Sequence, residues 1–251
     1  MSIFARFENH SQVQYGILEE NKIIPISGTP LNRWEICGPS LKLEEVKLLA
    51  PVEPGKIIGI GSNYYDDLNA KGKTAPKEPP FFIKVSSAIV GHGEDIVFPS
   101  VDDAKLYYEA ELAVVINKKA KNVPVEEALD YIFGYTCAND VMLKKPLVDL
   151  PRAKNYDTFV PLGPFLVTEI DGKDLSISCS INKKQTQSSR TSNMVFGVAE
   201  IISYLSAIMT LEPGDVIITG TPAGAGFVEV GDCIDVEIEG LGTLTNQVVQ
   251  G

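Results

Sequence analysis

The chain has 251 residues, 44% of them hydrophobic and 22% charged, a balance that excludes a disordered chain and supplies enough apolar surface for a full core. Its formal net charge of −11 repels phosphate backbones and anionic membrane surfaces, so neither nucleic acid nor a membrane is expected as a partner. An acidic protein that handles an acidic metabolite must neutralise charge locally, which points to a bound cation or a few placed lysines at its site.

Met1 to His10 is polar and charged, without the apolar centre of a signal peptide, and no window has the length of a membrane span, so a cytoplasmic location is expected. Residues 1–50 read as a small N-terminal β domain. Ile3 to Phe7 and Val13 to Leu18 have strand character, and Glu19 to Lys22 form a turn ahead of Ile23 and Ile24. Pro51 to Gly55 then punctuates the chain and opens a larger unit over 51–251. In this unit strands are expected over Ile57 to Ile60, Phe81 to Val85, Leu106 to Ile116, Gly163 to Thr168, Val216 to Thr219 and Cys233 to Ile238. Two helices are expected: Val125 to Phe133, opened by Pro124 with two glutamates in its first turn, and Val195 to Met209. The fold class is mixed α+β and β-rich. Gly61 to Pro80 is the one long polar segment between strands, a length typical of lids. Cys37, Cys137, Cys179 and Cys233 form no Cys-x-x-Cys pair and read as buried free thiols.

The period of two in a strand puts Glu109 and Glu111 on one face of the run Tyr107 to Ile116. Two convergent carboxylates suit a hard cation such as Mg²⁺ or Mn²⁺, which takes oxygen ligands and keeps water in its remaining positions. Asp140, after the apolar stretch Tyr131 to Ala138, offers a third. Two readings stay open for these acids: a metal site, or the wet face of an antiparallel strand followed by an Asn-Asp turn. Lys154, Lys84 and Lys144 are either placed ammonium groups facing an anion or ordinary solvated lysines. Thr219-Gly220-Thr221-Pro222 follows a strand and can grip a carboxylate, yet it lacks the lysine of a phosphate loop and the glycine spacing of a dinucleotide loop. His10 and His92 are the only histidines and have no nucleophile elbow beside them, so a Ser/His/Asp triad is unsupported.

Taken in order, several blocks resemble the fumarylacetoacetate hydrolase family between about Lys56 and Val249. They include Gly61-Ser62-Asn63-Tyr64, Phe82-Ile83-Lys84, Tyr108-Glu109-Ala110-Glu111-Leu112, Asn139-Asp140, Lys154-Asn155-Tyr156-Asp157, Gln187 with Thr191, and Thr219-Gly220-Thr221-Pro222. The resemblance implies rolled β-sheets paired as a homodimer, a divalent Mg²⁺ or Mn²⁺ held by Glu109, Glu111 and Asp140, and Lys154 as the catalytic lysine. It implies a small-molecule 2-oxo acid as partner, with Tyr64, Lys84, Lys144, Gly220 and Thr221 around it. A cation on the ketone oxygen of such an acid stabilises an enolate.

The departures narrow the reaction. The lid His and Glu by which hydrolytic members activate water fall on Asp67 and Ala70, and an arginine and a glutamine after the metal aspartate fall on Lys144 and Leu147. Decarboxylation or keto–enol isomerisation of a 2-oxo dicarboxylate needs fewer of the missing parts than hydrolysis, with Asp66 or Asp67 as the substitute base and Asp67 as the candidate catalytic residue. The alternatives are a C–C bond hydrolase of acylpyruvates or fumarylacetoacetate-like compounds, and a metal-dependent 2-oxo acid binder that has lost catalysis.

Overall fold

Every residue of the run Ala110–Ile116 is buried, and a strand that is apolar on both faces needs a layer over each. The computed structural model describes residues 1–251 and places this strand inside a 13-stranded sheet, antiparallel to Ile132–Asn139 on one side and to Val216–Ile218 on the other. Val216–Ile218 runs parallel to Ile57–Ile60, which pairs with Phe81–Lys84. On the far flank Ile132–Asn139 pairs with Val160–Val167, and that strand pairs in turn with Ile3–Asn9, so the N-terminal strands continue the same sheet.

Alternation along Ala110–Ile116 then separates two cores. Leu112, Val114 and Ile116 enter the larger one, with Ile201, Ile202 and Leu205 of the helix Val198–Ile208 and with Ile234, Val236 and Ile238 of a second, five-stranded sheet. Ala113 and Val115 enter the smaller one, with Ile57, Val160, Leu162 and Ile218. Glu111 shares the parity of Ala113 and Val115 and ends that face. A third sheet of three short strands, Met142–Lys144, Lys105–Tyr108 and Gly226–Val228, stands at the end of the large sheet where the acids lie.

The architecture is the expected β-rich one with few helices, and Ile57–Ile60 and Cys233–Ile238 fall on their expected bounds. Four local expectations need correction. The segment 125–131 is a 3₁₀ helix rather than an α-helix. The long helix begins at Val198, not Val195, because Asn63 captures the preceding chain: its carbonyl accepts from Val195 N–H at 2.8 Å and its Oδ1 from Phe196 N–H at 2.9 Å. The long polar segment contains a short helix, Tyr65–Ala70. All four cysteines are free, but Cys37 is exposed and Cys233 only half-buried.

Candidate metal centre

The strand expected over 106–116 breaks at Glu109, which sits between Lys105–Tyr108 of the small sheet and Ala110–Ile116 of the large one. Side-chain amides replace the missing ladder bonds. Glu109 N–H donates to Asn139 Oδ1 at 3.0 Å, and Ala110 N–H donates to Gln187 Oε1 at 3.1 Å. The Glu109 carbonyl accepts from Asp140 N–H at 2.8 Å, which ties the break to the residue after Ile132–Asn139. One carboxylate oxygen each from Glu109, Glu111 and Asp140 therefore lies within 4.8 Å of the others.

Three acids this close and this buried are held by cations of the chain itself. Lys154, in the short helix Leu150–Lys154, donates to Glu109 Oε2 and Asp140 Oδ2, each at 2.5 Å. Lys84 donates to Asp140 Oδ1 at 2.5 Å and to the carbonyls of Val141 and Phe159 at 3.0 and 2.8 Å. Burial works against the Asp140 anion, but the Lys154 and Lys84 ammonium groups outweigh it and hold the carboxyl below its usual range. Burial also pulls Lys154 down, and Asp140 with Glu109 overcomes it, so this lysine is held firmly protonated. Glu111 is the odd member. Its single hydrogen bond comes from Gly220 N–H at 2.7 Å, and burial, reinforced by the charges of Asp140 and Glu109, lifts its carboxyl well above the ordinary glutamate value. Three carboxylates against two lysines leave one negative charge uncompensated, and an undersatisfied buried carboxylate is the group that a divalent cation would satisfy. The donor set fits such an ion.

The acids open into a cavity of about 410 Å³ whose wall includes Asp67, Lys71, Lys154 and Thr221. Asp67, buried in the helix Tyr65–Ala70, is held by Lys71 at 2.8 Å. Thr221 Oγ1 accepts from Gln187 Nε2 at 2.8 Å. The remaining expected residues stand apart from this wall. Lys84 is fully enclosed with its three protons used. Tyr64 is enclosed in the larger core with an unpartnered hydroxyl. Lys144 faces a neighbouring cavity with its ammonium 3.4 Å from the Tyr107 ring centroid, and Gly220 acts through its N–H on Glu111.

Two residues carry more of the site than their type announces. Asn63 Nδ2 donates to the carbonyls of Thr219 at 2.8 Å and Phe196 at 3.1 Å. Gln187 joins Ala110 N–H to Thr221 Oγ1 and to the Pro222 carbonyl at 2.8 Å. Both are amides, able to donate and accept at once, and the only sequence signal for them was their place in the family blocks.

Buried acids gathered at the end of rolled β-sheets, beside a buried lysine, define the class of this protein as a β-rich enzyme with an acid-and-lysine site that could hold a cation. The family model described as fumarylacetoacetate (FAA) hydrolase, C-terminal, matches residues 56–249, and an Rv2993c-like N-terminal model matches residues 4–51. The chain belongs to the fumarylacetoacetate hydrolase family and is an enzyme of it. It is 42% identical over 225 residues to the mitochondrial oxaloacetate tautomerase fahd2 of Xenopus laevis, covering 83% of this chain and 70% of that one. The solved structure of a 5-carboxymethyl-2-hydroxymuconate delta-isomerase from Mycobacterium smegmatis superposes with a TM-score of 0.92 at 37% identity, covering 100% of both chains. That of maleylpyruvate hydrolase from Sphingobium, in complex with manganese(II) and pyruvate, superposes with a TM-score of 0.84 at 30% identity over 100% of both.

Proposed function

We propose that this enzyme acts on a small 2-oxo dicarboxylate by keto–enol isomerisation or decarboxylation, with Mg²⁺ or Mn²⁺ held by Glu109, Glu111 and Asp140. The observation that carries the reading is the buried triad with one carboxylate, Glu111, left almost without donors beside a fixed Lys154. The manganese and pyruvate in the Sphingobium relative and the tautomerase activity named for the Xenopus one support it.

The cation would supply Lewis-acid stabilisation of negative charge on the ketone oxygen. Lys154, ionised and enclosed, would aim its ammonium at the same developing charge, while Thr221 orients the acid. Asp67 is the carboxylate on the lid side of the cavity, placed there without the lid His and Glu of hydrolytic members. It would take a proton from the carbon next to the ketone and return it to oxygen, or the reverse. This needs no activated water, which is why isomerisation is favoured over hydrolysis of an acylpyruvate.

The decisive experiment follows the ultraviolet absorbance of enol-oxaloacetate with Mg²⁺ or Mn²⁺. The wild type should accelerate ketonisation, and Lys154→Met should cut kcat by about 10²-fold or more. Asp67→Asn should lower kcat and leave metal binding intact. Acylpyruvate cleavage without any tautomerase activity would establish the hydrolytic reading instead.

A further inference from the structure

The short helix Tyr65–Ala70 brings Asp67 to the cavity wall, yet few of its own bonds fix where Asp67 stands. The chain enters this helix tied by the bridge of Tyr64 to Met194. Beyond that entry, the Lys71 ammonium that holds Asp67 lies at the end of the same helix, so the pair moves with the helix and cannot anchor it. The residue before Asp67 supplies the anchor. Asp66, the other acid that the sequence offers as a substitute base, does not line the cavity. Its carboxylate accepts from Ser189 Oγ at 2.5 Å and, at 3.4 Å, from Ala223 N–H. These are the only side-chain hydrogen bonds by which residues 65–73 reach another part of the chain. Ser189 stands on Lys184–Arg190, an outer strand of the five-stranded sheet. Its oxygen accepts from Asn193 Nδ2 at 3.0 Å, which leaves its one proton for Asp66. The same strand carries Gln187, which grips Thr221 and Pro222, and Ala223 follows them in the loop. Strand, loop and helix thus close a ring of hydrogen bonds in which Asp66 joins the helix that carries Asp67 to the loop that carries Thr221.

We propose that Asp66 is a positioning residue: through Ser189 it locks the lid helix at the distance and angle from which Asp67 reaches the carbon beside the ketone. It touches no reacting atom. A hydrogen bond to a carboxylate is among the stronger ones in a protein, and a displacement of about 1 Å at a reacting group can cost about 10²-fold in rate. One such bond on a helix of 6 residues is therefore enough to set the rate. The inference rests on Asp67 being the base of the proposed reaction.

The test uses Ser189→Ala in the full-length protein, which removes the anchor and leaves both aspartates in place. Ser189 is only half-buried, so the fold should tolerate the change. Hydrogen–deuterium exchange should run about tenfold faster over residues 65–73, the consequence of losing one bond to a charged group, and stay as in the wild type over Ala110–Ile116. With enol-oxaloacetate and Mn²⁺, kcat should fall about tenfold while KM stays within about twofold. Ser189→Thr keeps the hydroxyl and should restore the rate. Adding Ser189→Ala to Asp67→Asn should slow the enzyme no further than Asp67→Asn alone, because the anchor acts through Asp67. Unchanged exchange over residues 65–73, or a wild-type kcat in Ser189→Ala, would overturn the anchor and leave Asp67 as the base. An equal loss in both backgrounds would show that Asp66 does not act through Asp67 and would overturn it as well. Full activity in Asp67→Asn would overturn the base assignment and the positioning role with it.

Discussion

At the scale of single residues, Glu111 and Lys84, two buried charged groups of the site, answer oppositely to substitution. Glu111 is enclosed with one donor, Gly220 N–H, so its charge costs free energy in the metal-free protein and is compensated only when a cation arrives. Glu111→Gln should therefore leave the metal-free protein at least as stable as the wild type while abolishing the rise in stability that metal confers. That rise in the wild type should be about 2.7 kcal/mol at a metal concentration of 100 times Kd, and thermal melts with and without Mn²⁺ read it directly. A wild type whose melting point ignores both Mg²⁺ and Mn²⁺ would remove the metal from the account. Lys84 is the contrasting case. Its ammonium lies inside the protein with Asp140 and two carbonyls as acceptors, so Lys84→Met should destabilise the fold by about 3–5 kcal/mol, the usual consequence of removing one partner of a buried ion pair. Urea denaturation measures this; a loss below about 1 kcal/mol, the range of a solvated pair, would show that Lys84 is not the anchor of Asp140.

At the scale of elements, the loop after Val216–Ile218 depends on side-chain amides from two other parts of the chain. Gln187 spans Ala110 N–H, Thr221 Oγ1 and the Pro222 carbonyl, and Asn63 holds the Thr219 carbonyl. Gln187→Met keeps the volume and removes all three bonds, stranding a buried N–H and a carbonyl. It should cost about 1–3 kcal/mol of stability and raise KM more than it lowers kcat, because in the proposed reaction Thr221 would orient the acid without transferring a proton. Denaturation and steady-state kinetics on oxaloacetate check both parts. The same tethers explain what was legible in the sequence. Alternation in 110–116 and 233–238 was readable because each strand buries its own pattern, and Glu109 and Glu111 come together even though the strand breaks at Glu109 itself. The break, the late start of the helix at Val198 and the 3₁₀ geometry of 125–131 were not readable. The first two are decided by distant partners, Asn139 and Gln187 for the break and Asn63 for the helix start. Lys84 and Tyr64, taken from the family blocks as groups near the substrate, lie behind the cavity wall. A block of sequence says which residues travel together, not which side of a wall they face.

At the scale of the whole molecule, the segment 1–50 and the larger unit share one sheet and one core. Ile3 and Phe4 pair with Val167 and Leu166, and Phe4, Ile26 and Ala50 pack in the same cluster as Ile57, Ala113 and Val160. The helices are few and none is long and apolar enough to cross a membrane, so the strands carry nearly all of the long-range order. Removing residues 1–50 would uncover both an edge of backbone donors and acceptors and the apolar side chains that Phe4 and Ile26 cover. Neither part has a complete boundary without the other, and the two should therefore unfold together. Scanning calorimetry of the full chain should give one transition whose calorimetric and van't Hoff enthalpies agree, near roughly 175 kcal/mol at about 60 °C for a chain of this length. Independent stability of the N-terminal strands would instead split the transition or make the van't Hoff value clearly smaller than the calorimetric one. Because Val160–Val167 also follows directly on the stretch that carries Lys154, the single-transition outcome has a consequence for the site. A substitution in the N-terminal strand that removes its packing on Val160–Val167, such as Phe4→Ala, should lower the melting temperature and the activity at elevated temperature in parallel, while activity at 25 °C stays unchanged.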